Sequence, residues 1–156
     1  MPGYKTHVVG GMCTFTLLFC LLQKPCFTSC SGVTALSYLF ATIFGSLFPD
    51  VDTKSKGQML FYQGILLYLL YLLWYQKIMM FMIMTCVVII PLLVPHRGLF
   101  HNIGFVTLMM AMVTLTAYIL FPGHTYEIMR HIFFFYVGAL SHIVLDRLQT
   151  AVSFKK

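Results

Sequence analysis

MLFYQGILLYLLYLLWYQKIMMFMIMTCVVIIPLLV, residues 59–94, decides how this chain folds. Charge interrupts the run only at Lys77, and amides only at Gln63 and Gln76. As one helix it would reach about 54 Å at about 1.5 Å per residue, far more than a hydrocarbon core of about 30 Å accommodates. It must fold back, and the place is Gln76-Lys77, where Trp74 and Tyr75 read as interfacial anchors. The outcome is two helices of about 17 residues each, near the short limit for a crossing.

Working outward from this hairpin, the remaining apolar runs fall between clear punctuation. A first helix is expected from His7 to Leu22, stopping at Gln23-Lys24-Pro25, and a second from Val33 to Phe48, stopping at Pro49. Small residues recur along the second (Ala35, Ser37, Ala41, Gly45, Ser46), the pattern that lets helices approach closely in lipid, so it is expected at the centre of the bundle. A fifth helix is expected from Ile103 to Phe121, ending at Pro122-Gly123, and a sixth from Glu127 or Ile128 to Leu148. The first thirty residues have the outline of a cleaved secretory signal, but Gly10-Gly11 and the threonines break the apolar run, and it is kept as helix 1. The expectation is an all-α integral membrane protein: one domain over residues 1–156, a bundle of about six transmembrane helices.

Composition agrees: the chain is 60% hydrophobic and 9% charged, with a mean hydropathy of +0.88. Its net charge of +6 comes from scarcity of acid, and no basic stripe interleaved with aromatics suggests direct nucleic-acid binding. Six crossings place both termini on one side. Lys5, Lys54, Lys56, Arg97, Arg147, Lys155 and Lys156 then fall together, against Lys24, Lys77 and Arg130 opposite, which makes the first side cytoplasmic. The same parity gathers His7, Asp50, Asp52, His96, Arg97, His101, His142 and Asp146 at that side, although nothing in the charge count required it.

Three polar stretches carry these residues: Phe48-Pro49-Asp50-Val51-Asp52, Pro95-His96-Arg97-Gly98-Leu99-Phe100-His101-Asn102, and Ser141-His142-Ile143-Val144-Leu145-Asp146-Arg147. Ionisable groups at the edge of membrane segments need partners or water, which makes them candidates for a site. His142 and Asp146 are four apart and share a helical face. His96 and His101 converge only if Pro95 to Gly98 turns into the fifth helix. His7, His96, His101 and His142 supply nitrogen and Asp50, Asp52 and Asp146 supply oxygen, enough for one or two divalent ions of the Zn, Mn or Mg kind. Such an ion lowers the pKa of a bound water and polarises a phosphoryl oxygen. Arg97, permanently charged and forked, suits an anion, and Arg97 and Asp52 are the residues assigned to catalysis.

Plainer readings exist for each residue: a solvated turn for Asp50 and Asp52, a helix cap for His101, an interfacial position for His7, an ion pair with Arg147 for Asp146. On the opposite side His124, Glu127 and His131, spaced three and four apart, would also share a face. Cys26 and Cys30 are close enough in sequence to pair in an oxidising compartment.

The ordered set of Thr6-His7, Phe48-Pro49-Asp50-Val51-Asp52, His96-Arg97-Gly98 with His101, and His142 with Leu145-Asp146 resembles the YdjM-type bacterial inner-membrane proteins described as metal-dependent hydrolases. The resemblance spans nearly the whole chain. It implies a small multi-helical protein of the bacterial inner membrane with a metal-dependent hydrolase site, and a link to a LexA-type repressor as partner. The chain departs from the pattern at Leu99-Phe100, where a small hydroxyl residue is common before the histidine. The function expected is hydrolysis of an ester, a phosphoester or lipid-like substrate, near the cytoplasmic face. The alternatives are a small transporter or cation-binding membrane protein, and a scaffold whose metal only staples helix ends.

Overall fold

In a computed structural model of the protein, residues 3–26, 31–52, 54–93 and 99–153 are described, and among them the chain is helical with no strand. Six helices appear in order: α1 (Tyr4–Cys26), α2 (Gly32–Leu47), α3 (Lys56–Trp74), α4 (Ile78–Leu93), α5 (Ile103–Leu120) and α6 (Thr125–Ser153). Short 3-10 turns at Phe48–Asp52 and Pro122–His124 lead from α2 toward α3 and from α5 into α6.

The hairpin falls where the sequence places it, between Trp74 and Ile78. Gln76 adopts a left-handed conformation at φ 54°, and the Gln76 and Lys77 amides donate to the carbonyls of Leu73 and Leu72. That closes the end of α3, where carbonyls have no partner within the helix. Trp74 and Tyr75 are exposed there, as interfacial anchors would be. Among the described residues five helices are long and apolar enough to cross a membrane. α4, with 16 residues and Pro91 inside it, is shorter: about 24 Å against about 30 Å of hydrocarbon.

Several boundaries differ from expectation, those of α1 and α6 most. α1 passes Pro25 by one residue, since a proline near a helix end removes only one bond of the last turn. α6 begins at Thr125 and runs 29 residues to Ser153. The Thr125 hydroxyl lies 3.1 Å from the carbonyls of both Phe121 and Pro122, tying the 3-10 turn to the helix start. At its other end the apolar pattern stops near Leu148 while helix-forming residues carry the helix on to Ser153.

The bundle is built on α2 and α6, with α1 packed on both and α5 on α6. Glycines set the spacing. A Cβ at Gly45 would run into the Phe135 carbonyl, and one at Gly138 into the Thr42 carbonyl, so the two backbones touch where they cross. This is the close approach that small residues permit in lipid, where dispersion contacts rather than water drive association. α1 joins them at Gly11, whose Cβ position lies 2.9 Å from the Ser46 hydroxyl oxygen. Rings of Phe48, Phe61, Phe100 and Phe135 meet edge-on or tilted beneath the 3-10 turn after α2. Tyr38 and Phe134 stack nearer the other end. Large apolar side chains such as Leu17, Leu67, Leu108 and Ile119 stay exposed, as a lipid-facing surface requires.

Candidate metal centre

Three helix ends and the body of α6 converge on one polar cluster. His7 comes from the first turn of α1, Asp50 from the 3-10 turn after α2, His101 from the residues before α5, and His142 and Asp146 from successive turns of α6. Asp50 and His101 bracket the α3–α4 hairpin, yet His101 Nε2 lies 3.8 Å from Asp50 Oδ1. The hairpin therefore leaves and returns at the same end of the bundle.

The glycine crossing fixes the innermost member. One turn beyond Gly138, His142 is fully buried, and its Nδ1 lies 2.7 Å from the Ser46 carbonyl oxygen, next to Gly45. Pro49 has no N–H to offer that carbonyl in the i→i+3 pattern of the turn, and the imidazole takes the place. A carbonyl only accepts, so Nδ1 carries the proton and donates. In the neutral ring the lone pair is then on Nε2. That Nε2 is buried without a hydrogen-bond partner, 3.6 Å from Asp50 Oδ1 and 3.4 Å from Asp146 Oδ2. A lone pair facing two carboxylates is repulsive unless something positive lies between them.

The other donors close around the same point. His7, 1% exposed, stacks on His142 with centroids 3.7 Å apart, and its Nε2 lies 3.5 Å from Asp146 Oδ1. His101 Nε2 lies 3.2 Å from Asp146 Oδ2. Besides His142 Nε2, His7 Nδ1 and Asp146 Oδ1 are buried without a hydrogen bond. Burial is lopsided: the side chains of His7 and His142 are 2% and 0% exposed, those of Asp50, His101 and Asp146 22%, 28% and 20%. One flank of the cluster is sealed by packed helices and the other reaches the surface.

Of the residues singled out in the sequence, His7, Asp50, His101, His142 and Asp146 come together. His96, Arg97 and the Asp52 side chain lie outside the described residues, as does a Cys26–Cys30 pair. The cap of α5 is Asn102, not His101: its side-chain oxygen accepts from the Gly104 and Phe105 amides, which leaves the imidazole to the cluster. The set on the opposite side does not assemble. His124 and Glu127 face each other at 3.8 Å in the open, but His131 turns to α2, its Nε2 3.0 Å from the Ser37 hydroxyl and its Nδ1 2.8 Å from the Glu127 carbonyl. The Ser46 carbonyl was missed, because a backbone acceptor leaves no mark in the residue pattern.

Fold and site thus define a class: a helical membrane protein that holds three imidazoles and two carboxylates at one end of its bundle. The sequence profile of the YdjM inner membrane protein family matches residues 1–151, and the chain belongs to that family. No curated protein and no solved structure matches it.

Proposed function

We propose that the protein is a membrane-bound, divalent-metal-dependent hydrolase acting on an ester, a phosphoester by preference, at the cytoplasmic face. The observation that carries this reading is the buried His142 Nε2, without a hydrogen bond and aimed at Asp50 and Asp146. A protonated imidazole paired with a carboxylate would sit about 2.7–2.9 Å from it. The five nitrogen–oxygen separations here are 3.2, 3.4, 3.5, 3.6 and 3.8 Å. Donors about 2.1 Å from a common ion stand about 3.0–3.4 Å apart when adjacent and about 4.2 Å apart when opposite, which fits the cluster better than ion pairing does. Mixed imidazole and carboxylate donors favour Zn or Mn over Mg.

Catalysis rather than stapling is favoured by the half-open flank, since structural metal sites are closed by protein ligands and catalytic ones keep a position for water or substrate. When bound, the ion supplies a water acidified toward neutrality and an acceptor for the negative charge of the ester oxygen. His142, oriented by the Ser46 carbonyl, and His7, stacked on it, hold the sealed side; Asp50, His101 and Asp146 line the side that substrate reaches. In this reading Arg97, four residues before His101 in the sequence, receives the anion, and Asp52 assists. Placement at the ends of α1, α2 and α5 disfavours a transporter, whose substrate sites lie near the bilayer midplane.

The test is elemental analysis of detergent-purified protein together with hydrolysis of a panel of membrane phosphoesters. Wild type should carry a divalent metal and hydrolyse at least one ester. Asp50→Ala, His101→Ala and Asp146→Ala should lose both properties, and Glu127→Ala should keep both. Metal without hydrolysis of any ester would favour the staple; metal loss in Glu127→Ala would discard this site.

A further inference from the structure

The five donors form two overlapping groups: His7, Asp50 and His142 in one, His101, His142 and Asp146 in the other, each with ligand atoms within 4.8 Å of one another. Two groups invite a two-ion reading, in which ions about 3.5–4 Å apart clamp a phosphoester from both sides. The chemistry of His142 speaks against it. Its Nδ1 is committed to the Ser46 carbonyl, so Nε2 is the ring's one ligating atom, and an imidazole nitrogen has a single in-plane lone pair. Carboxylates bridge two ions readily; a neutral imidazole nitrogen does not.

We propose that the cluster holds a single divalent ion, with His142 as the ligand that makes the two groups one. This rests on the metal-dependent reading above and assigns its stoichiometry. A second observation supports it independently. Among the described residues the cluster offers two carboxylates, Asp50 and Asp146, so one divalent ion leaves it neutral. Two ions would leave a double positive charge beside the fully buried His142, a costly arrangement without further anions. Asp50, His101 and Asp146, 20–28% exposed, line the flank from which water or an ester oxygen would reach a bound ion.

Mn(II) is the probe. Full-length wild-type protein in detergent, stripped with chelator and titrated with Mn(II), should saturate at one ion per chain and show the six-line paramagnetic resonance spectrum of isolated Mn(II). Saturation at two, with the many-line spectrum of a spin-coupled pair, would overturn the single-ion proposal and leave the metal-dependent reading intact. No binding would overturn both. His142→Ala should abolish binding, whereas a pair of ions of which only one uses His142 would leave one ion bound. Because His142 lies in the core, that variant is read only if its thermal unfolding stays cooperative; the wild-type stoichiometry and spectrum decide the matter without it.

Discussion

Gln76 and Asn102 mark the limits of two helices, and single substitutions measure what each contributes. Gln76 holds φ at 54°, where a side chain costs roughly 1–2 kcal/mol relative to the right-handed region and glycine escapes most of that cost. Gln76→Gly should raise thermal stability in detergent by roughly 1 kcal/mol with metal content unchanged; a drop would mean that the side chain is needed at the interface. Asn102 accepts from the Gly104 and Phe105 amides at the start of α5. Its loss in Asn102→Ala should cost roughly 1 kcal/mol by the same measurement and, because His101 is the neighbouring residue, weaken metal binding. The cluster was legible at this scale because the chain has so few ionisable groups: Asp50 and Asp146 are two of four acids, and the histidines at the start of α1, just before α5 and within α6 stood out against apolar surroundings. What could not be read was the role of backbone. Whether His101 or Asn102 capped α5 depended on one turn's geometry, and the Ser46 carbonyl has no residue type to betray it.

At the scale of elements, the crossing of α2 and α6 connects packing to the proposed metal site. Gly45 and Gly138 bring the backbones into contact, and one turn on, that contact delivers His142 to the Ser46 carbonyl. Gly138→Ala should push the helices apart, lengthen that hydrogen bond and lower metal affinity by roughly 10–100-fold, the usual cost of losing the group that orients a ligand. Gly10→Ala is the comparison: its Cβ would meet only the end of the Leu145 side chain, which can swing away, so metal affinity should stay within a few-fold of wild type. Titration of Mn(II) into the three proteins, alongside thermal unfolding, checks both expectations. Equal affinity in all three would detach the crossing from the site. The sequence announced α2 as a packed helix through its small residues but did not identify the partner. Gly138 lies alone between Val137 and Ala139, and only the three-dimensional crossing pairs it with Gly45.

For the whole molecule, the question is which way the bundle faces. His7 near the start of α1 and Asp146 near the end of α6 stand 3.5 Å apart, so the chain's first and last helices bring the cluster to one face whatever the exact number of crossings. α4 is not among the five helices long and apolar enough to cross a membrane, yet the closeness of Asp50 and His101 shows that the hairpin containing it returns to its starting face. Around the cluster Lys5, Lys54, Lys56 and Arg147 are exposed. With Arg97, Lys155 and Lys156, which the alternation of six crossings in the sequence puts on the same side, they make seven of the ten basic residues. Cytoplasmic loops carry the excess of lysine and arginine, and here the imbalance lies in short segments close to helix ends, where the rule is strongest. A reporter fused after Lys156 should therefore read as cytoplasmic, and an accessible cysteine placed at Gln76 should react with an impermeant reagent from the other side. Both labels on the same side would require α3 and α4 to form a hairpin that dips into the bilayer and returns. A reporter reading outside, with Gln76 inside, would turn the cluster toward the opposite compartment, and the search for its ester would begin there.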